Sequence, residues 1–159
     1  MKVIVVYDSV SHMKLTAKVA ETISEVLKDE GVQVDTFYFE DLDKVIVKNY
    51  DCLIAGAPTM FFKASKGITK FLKSLPRKEF SGKLAAAFDT QLQGRFYGNA
   101  AKGIEKRLKK LGFEVCSSPL ITYVEGKVRD QMQLKEGELE KVEDWARTIA
   151  EILSEQARR

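Results

Sequence analysis

Between a β-branched run ending at Tyr7 and an apolar-periodic segment starting at Leu15 lies a short turn, Asp8-Ser9-Val10-Ser11-His12-Met13-Lys14. It gathers two hydroxyls, the chain's only imidazole and an ammonium at the entrance of a helix. The first-turn N–H groups of a helix have no intrahelical partner, and the dipole there is positive, so such a turn can seat an anion. Two further loops carry candidate groups. Ala57-Pro58-Thr59-Met60-Phe61-Phe62-Lys63 is an apolar loop directly after a strand. A loop tip of this kind suits a flat ligand or a partner surface; the alternative is that Phe61 and Phe62 tuck under the next helix. Asp89-Thr90-Gln91-Leu92-Gln93-Gly94-Arg95-Phe96-Tyr97-Gly98 offers polar reach through Gln91 or Arg95. Phe96 or Tyr97 could stack on a ring or serve packing.

The elements that position these loops follow from hydrophobic periodicity. Val3 to Tyr7 reads as a strand buried on both faces. Leu15, Val19, Ile23, Val26 and Leu27 form one face of a helix closed near Gly31. Val32 to Tyr38 and Asp51 to Gly56 read as strands, the latter stopped by Pro58. Ser65 is a candidate N-cap for a helix carrying Ile68, Phe71, Leu72 and Leu75. Lys83 to Phe88 is the fourth strand, and Asp89 to Asn99 a loop. Ala100 to Leu111 is a helix, and a fifth strand is interrupted at Ser117-Ser118-Pro119. Gly137 to Gln156 is the last helix, with Trp145 in its buried stripe. Strands alternating with helices imply a parallel sheet covered on both faces, whose ligands bind at the carboxyl ends of the strands.

The totals narrow the function. A chain of 159 residues fits a single domain, 1–159. A net charge of +3, spread as interleaved Lys and Glu along helices, describes a solvated surface and argues against nucleic-acid binding. No stretch is long and apolar enough for a membrane span, and the chain opens on a strand with no signal-peptide pattern, so a cytoplasmic location is expected. Cys52 and Cys116 fall in apolar strand surroundings and read as packed, reduced thiols. One histidine excludes a histidine-rich metal site, and no metal ligand set is expected.

The sequence resembles the flavodoxin family over essentially its whole length. The resemblance rests on Tyr7-Asp8-Ser9 leading into a helix, on Gly56-Ala57-Pro58-Thr59 after the third strand, and on Gly98-Asn99-Ala100-Ala101 opening a helix that ends Leu111-Gly112-Phe113-Glu114-Val115. It implies a doubly wound, five-stranded parallel sheet in a three-layer α/β/α arrangement of the short-chain type. It also implies a flavin mononucleotide (FMN) site made by Asp8, Ser9, Val10, Ser11, His12, Met13 and Lys14, by Ala57, Pro58, Thr59, Met60 and Phe61, and by Asp89, Thr90, Gln91, Tyr97 and Gly98. The family's first loop usually runs hydroxyl, any residue, hydroxyl, Gly-Asn-Thr. Here both hydroxyls stand, but His12, Met13 and Lys14 replace the last three residues. Glycine allows positive φ and close approach to a phosphate; His12 and Lys14 instead offer charge. The other reading of that exchange is an exposed turn that no longer holds phosphate.

What the resemblance implies is an electron-transfer flavoprotein with a redox partner protein or a small electron acceptor. A related reading is an NAD(P)H-linked flavin or quinone reductase, which would require a homodimer or tetramer to complete its site. No acid, base or nucleophile constellation stands out. The reading from another class is a flavin-free module of the same fold that binds a different anion or a protein partner.

Overall fold

The computed structural model describes residues 1–10, 14–60, 62–94, 98–128 and 131–159. Strands β1 (Lys2–Tyr7), β2 (Gln33–Tyr38), β3 (Cys52–Met60), β5 (Leu84–Leu92) and β7 (Leu120–Glu125) form the sheet in the order β2-β1-β3-β5-β7, all parallel. Three two-residue strands extend it. β4 (Lys63–Ala64) turns back antiparallel on β3, and β8 (Gln133–Leu134) does so on β7. β6 (Glu114–Val115) lies parallel to β5 ahead of β7, so β6 and β7 are the two halves of the interrupted fifth strand. The order reverses between β1 and β3, the switch point at which this architecture opens a crevice.

Alternation along the strands assigns the two faces. Val3, Val5, Cys52, Ile54, Ala86 and Phe88 face α1 (Leu15–Asp29) and α4 (Glu138–Arg158). Ile4, Val6, Leu53, Ala55, Ala85 and Ala87 face α2 (Lys66–Ser74) and α3 (Ala100–Lys110). Every one of these strand residues is buried, as expected for central parallel strands covered on both sides. A Cβ on Gly56 would fall 2.1 Å from the Phe88 ring, so glycine there makes room for the large residue of the neighbouring strand. Trp145 is half-buried on α4, packed against the first of these cores, and donates its indole N–H to the Ser118 carbonyl at 2.9 Å.

Two strands run past the ends the sequence suggests. β3 continues through Pro58 to Met60, and β5 through Asp89 to Leu92. Pro58 is tolerated because β1 has already left. The Asp8 N–H donates to the Gly56 carbonyl at 3.1 Å, and Gly56 is the last β3 residue paired with β1. Pro58, two residues on, presents its nitrogen to that same vacated side while β3 keeps pairing β5 as far as Pro58–Thr90. The run Asp89-Thr90-Gln91 is polar yet buried, so hydrophobic patterning missed it.

Both cysteines are free thiols. Cys52 pairs with Leu84 on one side of β5, and the Cys116 N–H donates to the Ala85 carbonyl from the other. Two strand spacings, about 9.6 Å, separate the two backbones, beyond the ~7 Å that a disulfide spans. No helix among the described residues is long and apolar enough to cross a membrane.

Candidate functional site

Three loops leave the carboxyl ends of β1, β3 and β5 and meet at the switch point. The first begins at Asp8, which is only 3 % exposed. Its carboxylate accepts a hydrogen bond from the Ser65 hydroxyl at 2.5 Å, and the Tyr38 phenol feels its charge. Burial, followed by the charge of Asp8, raises the Tyr38 pKa above its ordinary value. Asp8 also packs on α2, where a Cβ on Gly67 would lie 2.5 Å from its Oδ2. The first turn of α2 has no acid of its own, so Asp8 supplies the negative charge that this helix end favours. Ser65 occupies the N-cap position of α2 as the sequence suggests, but its hydroxyl serves Asp8 and caps no backbone N–H.

With Asp8 turned toward α2, the start of α1 carries no negative charge. Its first turn has no acid, and the N-cap residue, Lys14, makes no side-chain cap. Lys14 is left-handed (φ 48°, ψ 42°), so the positive φ expected of a phosphate-wrapping loop falls on a lysine. The Ser9 hydroxyl is buried and has no partner among the described residues. Val10 is exposed beside it. Ser11, His12 and Met13 lie outside the described residues.

The second and third loops are bolted together beneath the cleft by Asp89, which is fully buried. Its Oδ2 accepts from the Thr59 hydroxyl (3.2 Å), the Gln91 amide (2.7 Å) and the Ala101 N–H at the start of α3 (3.2 Å). Its Oδ1 accepts from the Thr122 N–H of β7 at 3.4 Å. Burial raises the Asp89 pKa, against the lowering effect of these donors, led by the Ala101 N–H. The Thr59 hydroxyl in turn accepts from the Ala100 N–H at 3.0 Å, and the Asn99 side chain caps α3 through the Lys102 N–H. Thr59 and Asp89 therefore spend their polar atoms on the frame.

Above this frame the loop backbones touch. Phe62 forms a bridge with Gly98, and a Cβ on Gly98 (φ +80°) would sit 2.3 Å from the Phe62 Cα. Only glycine permits both that backbone angle and that approach. Phe62 itself is left-handed (φ 71°) and exposed. Phe61, Arg95, Phe96 and Tyr97 lie outside the described residues.

The resulting cleft has a volume of about 520 Å³. Val10, Pro58, Thr59, Met60, Thr90 and Gln91 line it. Thr16 of α1 joins them, its hydroxyl 2.7 Å from that of Thr90. Ala57 is buried just behind this lining, on the face of β3 toward α2 and α3. The fourth wall was not legible in the sequence: Val124, Gly126, Lys127, Val128 and Met132, from the β7–β8 hairpin. Gly126 was the one local signal, and a Cβ there would lie 2.8 Å from the Met132 sulfur, which marks a tight turn. A neighbouring cavity of about 450 Å³ lies between Asp8, Val10, Met60 and the start of α2. No cluster of three or more His, Cys, Asp or Glu suited to a metal occurs among the described residues.

A doubly wound parallel sheet with helices on both faces and an apolar cleft at its switch point defines the flavodoxin-like class of α/β protein. The flavodoxin family model matches residues 5–145, and the chain belongs to the flavodoxin family. An uncharacterized protein of Methanocaldococcus jannaschii is 31% identical over 119 residues, which span 72% of this chain and 71% of that protein. Among solved structures, oxidised flavodoxin 2 from Bacillus cereus superposes with a TM-score of 0.79 at 22% identity, covering 95% of this chain and 99% of that one. Rubredoxin:oxygen oxidoreductase from Desulfovibrio gigas gives 0.79 at 22% identity, covering 99% of this chain. The chain spans only 37% of that oxidoreductase, so the match is to one part of a larger protein.

Proposed function

We propose that the cleft binds FMN and that the protein transfers electrons through it. One observation carries this reading: the buried Ser9 hydroxyl has no partner among the described residues, and its neighbour Val10 lines a 520 Å³ apolar cleft together with Leu15 and Thr16 of the uncapped, acid-free first turn of α1. A phosphate would satisfy that hydroxyl and the free first-turn N–H groups, and Lys14 adds a cation at the same helix end. Val10, Met60, Leu92 and the β7–β8 hairpin would enclose an apolar ring system. Thr90 and Gln91 offer polar atoms at its margin.

The bound flavin would supply the electron chemistry. The chain's part is to hold the phosphate at α1, to wall the ring from water, and to fix the distance between the walls through Asp89 and the Phe62–Gly98 contact. Absence of an acid at the phosphate end leaves that end electropositive.

The test is a visible spectrum of the purified protein followed by parallel fluorescence titrations with FMN and riboflavin. FMN should bind and riboflavin should bind more weakly. Ser9→Ala should weaken FMN binding by about tenfold and leave riboflavin binding unaltered. A colourless protein that leaves FMN fluorescence unchanged at high protein concentration refutes the reading. Steady-state oxidation of NAD(P)H by a quinone, if observed, would make the protein a reductase rather than a carrier.

A further inference from the structure

The mouth of the cleft exposes more apolar side chain than the rest of the described surface. Phe62 is 64% exposed, Val128 53%, Val10 45% and Leu92 40%; the last three line the cleft, and Phe62 precedes Lys63 of the neighbouring cavity. Elsewhere among the described residues only Met1 and Val45 are large hydrophobics of comparable exposure.

Among the described residues, the exposed charges that line the two cavities are lysines. Lys63, Lys66 and Lys127 line the two cavities at the switch point and are exposed, as is Lys14 at the start of α1. The acid among the lining residues is Asp8, which is buried and hydrogen-bonded to Ser65. Glu125 is exposed at the base of the β7–β8 hairpin, outnumbered by these lysines.

We propose that this mouth is the docking surface for an acidic redox protein, with carboxylates meeting the lysines and an apolar centre seated on Phe62, Val10, Leu92 and Val128. The proposal rests on the flavin reading above and adds the chemistry of the partner. An apolar centre inside a charged rim is the anatomy of a protein interface. These four apolar residues are spread too widely for a small anion to cover. A second copy of this chain would bring a second basic rim and be repelled. Complementary charge would speed encounter and set orientation.

The experiment uses FMN-loaded protein and a reduced plant-type ferredoxin, an acidic iron–sulfur protein, as the probe donor. One electron passes from the ferredoxin's iron(II), which becomes iron(III), to the oxidised flavin; no covalent bond changes in either chain. The bimolecular rate should fall at least about tenfold as salt rises from ~10 mM to ~0.5 M. The double variant Lys66→Glu, Lys127→Glu should react at least about tenfold more slowly at low salt, with a flatter salt dependence. Oxidation of the reduced protein by an uncharged benzoquinone should stay flat across the same salt range, which separates charge steering from a general salt effect. A ferredoxin rate that ignores salt and the double variant, or that rises with salt, overturns the proposal even when FMN is bound. Failure of the flavin reading shows earlier and separately, as a protein without flavin absorbance.

Discussion

Asp8, just past β1, and Asp89, within the last half of β5, lie on either side of β3, and both are buried carboxylates toward the carboxyl edge of the sheet. Their surroundings differ. Asp89 binds four donors from β3, β5, β7 and the start of α3, and none of its oxygens is left for a ligand. Asp8 accepts from one side-chain hydroxyl, that of Ser65, and it lines a cavity. The first holds three elements in register. The second moves negative charge away from α1 and onto α2, which prepares one helix end for an anion by giving the other an acid. A strand-end aspartate in this fold is thus framework or electrostatic adjustment according to how many backbone N–H groups reach it.

The comparison breaks most visibly at Asp89. Asp89→Ala would strand the buried Ala101 and Thr122 N–H groups, and should cost about 3 kcal/mol, read as a lower urea midpoint. Gly98→Ala acts on the same loop without touching either carboxylate. It should cost about 2 kcal/mol and weaken FMN binding as the Phe62 contact opens, measured by denaturation and fluorescence titration together. Asp8→Ala frees the Ser65 hydroxyl, and should cost about 1 kcal/mol. If Asp8→Ala proves as damaging as Asp89→Ala, the distinction drawn between them fails.

The smallest effect is in pH. The Asp89 pKa is raised by burial, so the folded state holds this proton more tightly than the unfolded chain. Its contribution is fully present below the ordinary carboxylate value and is lost as pH rises through the elevated folded value. The stability difference between wild type and Asp89→Asn should therefore shift in favour of wild type as pH falls through that window. Urea midpoints of both proteins across mildly acidic pH measure it, and a shift of opposite sign would show that the four donors outweigh burial.

Much of the fold was written in periodicity. Val3 to Val6, the α1 stripe and the α4 stripe are apolar residues at the spacing their elements require, so class, face and element order could be read directly. What escaped was polar and buried. Asp89, Thr90 and Gln91 satisfy one another and their neighbours, so a strand there looks like a loop to any pattern of hydrophobicity. Pro58 looked like a strand terminator because the sequence does not tell which neighbour a strand has lost. Of the cleft lining, Val10, Met60, Thr90 and Gln91 belong to the loops that the sequence places after strands. The β7–β8 wall was not, because Val124, Val128 and Met132 reach the cleft only through an antiparallel return whose pairing is non-local.

Pro58 also bears on how the molecule behaves in a crowd of its own kind. Past Gly56, β3 no longer pairs β1, and Pro58 stands just ahead of the Thr59–Met60 segment that β4 pairs, at the rim of an apolar cleft. Unpaired strand flanks of that sort invite a foreign strand to add on and seed aggregates. A proline at that position removes the N–H donor an incoming strand would need, so the cleft can stay open and apolar without becoming a template for assembly.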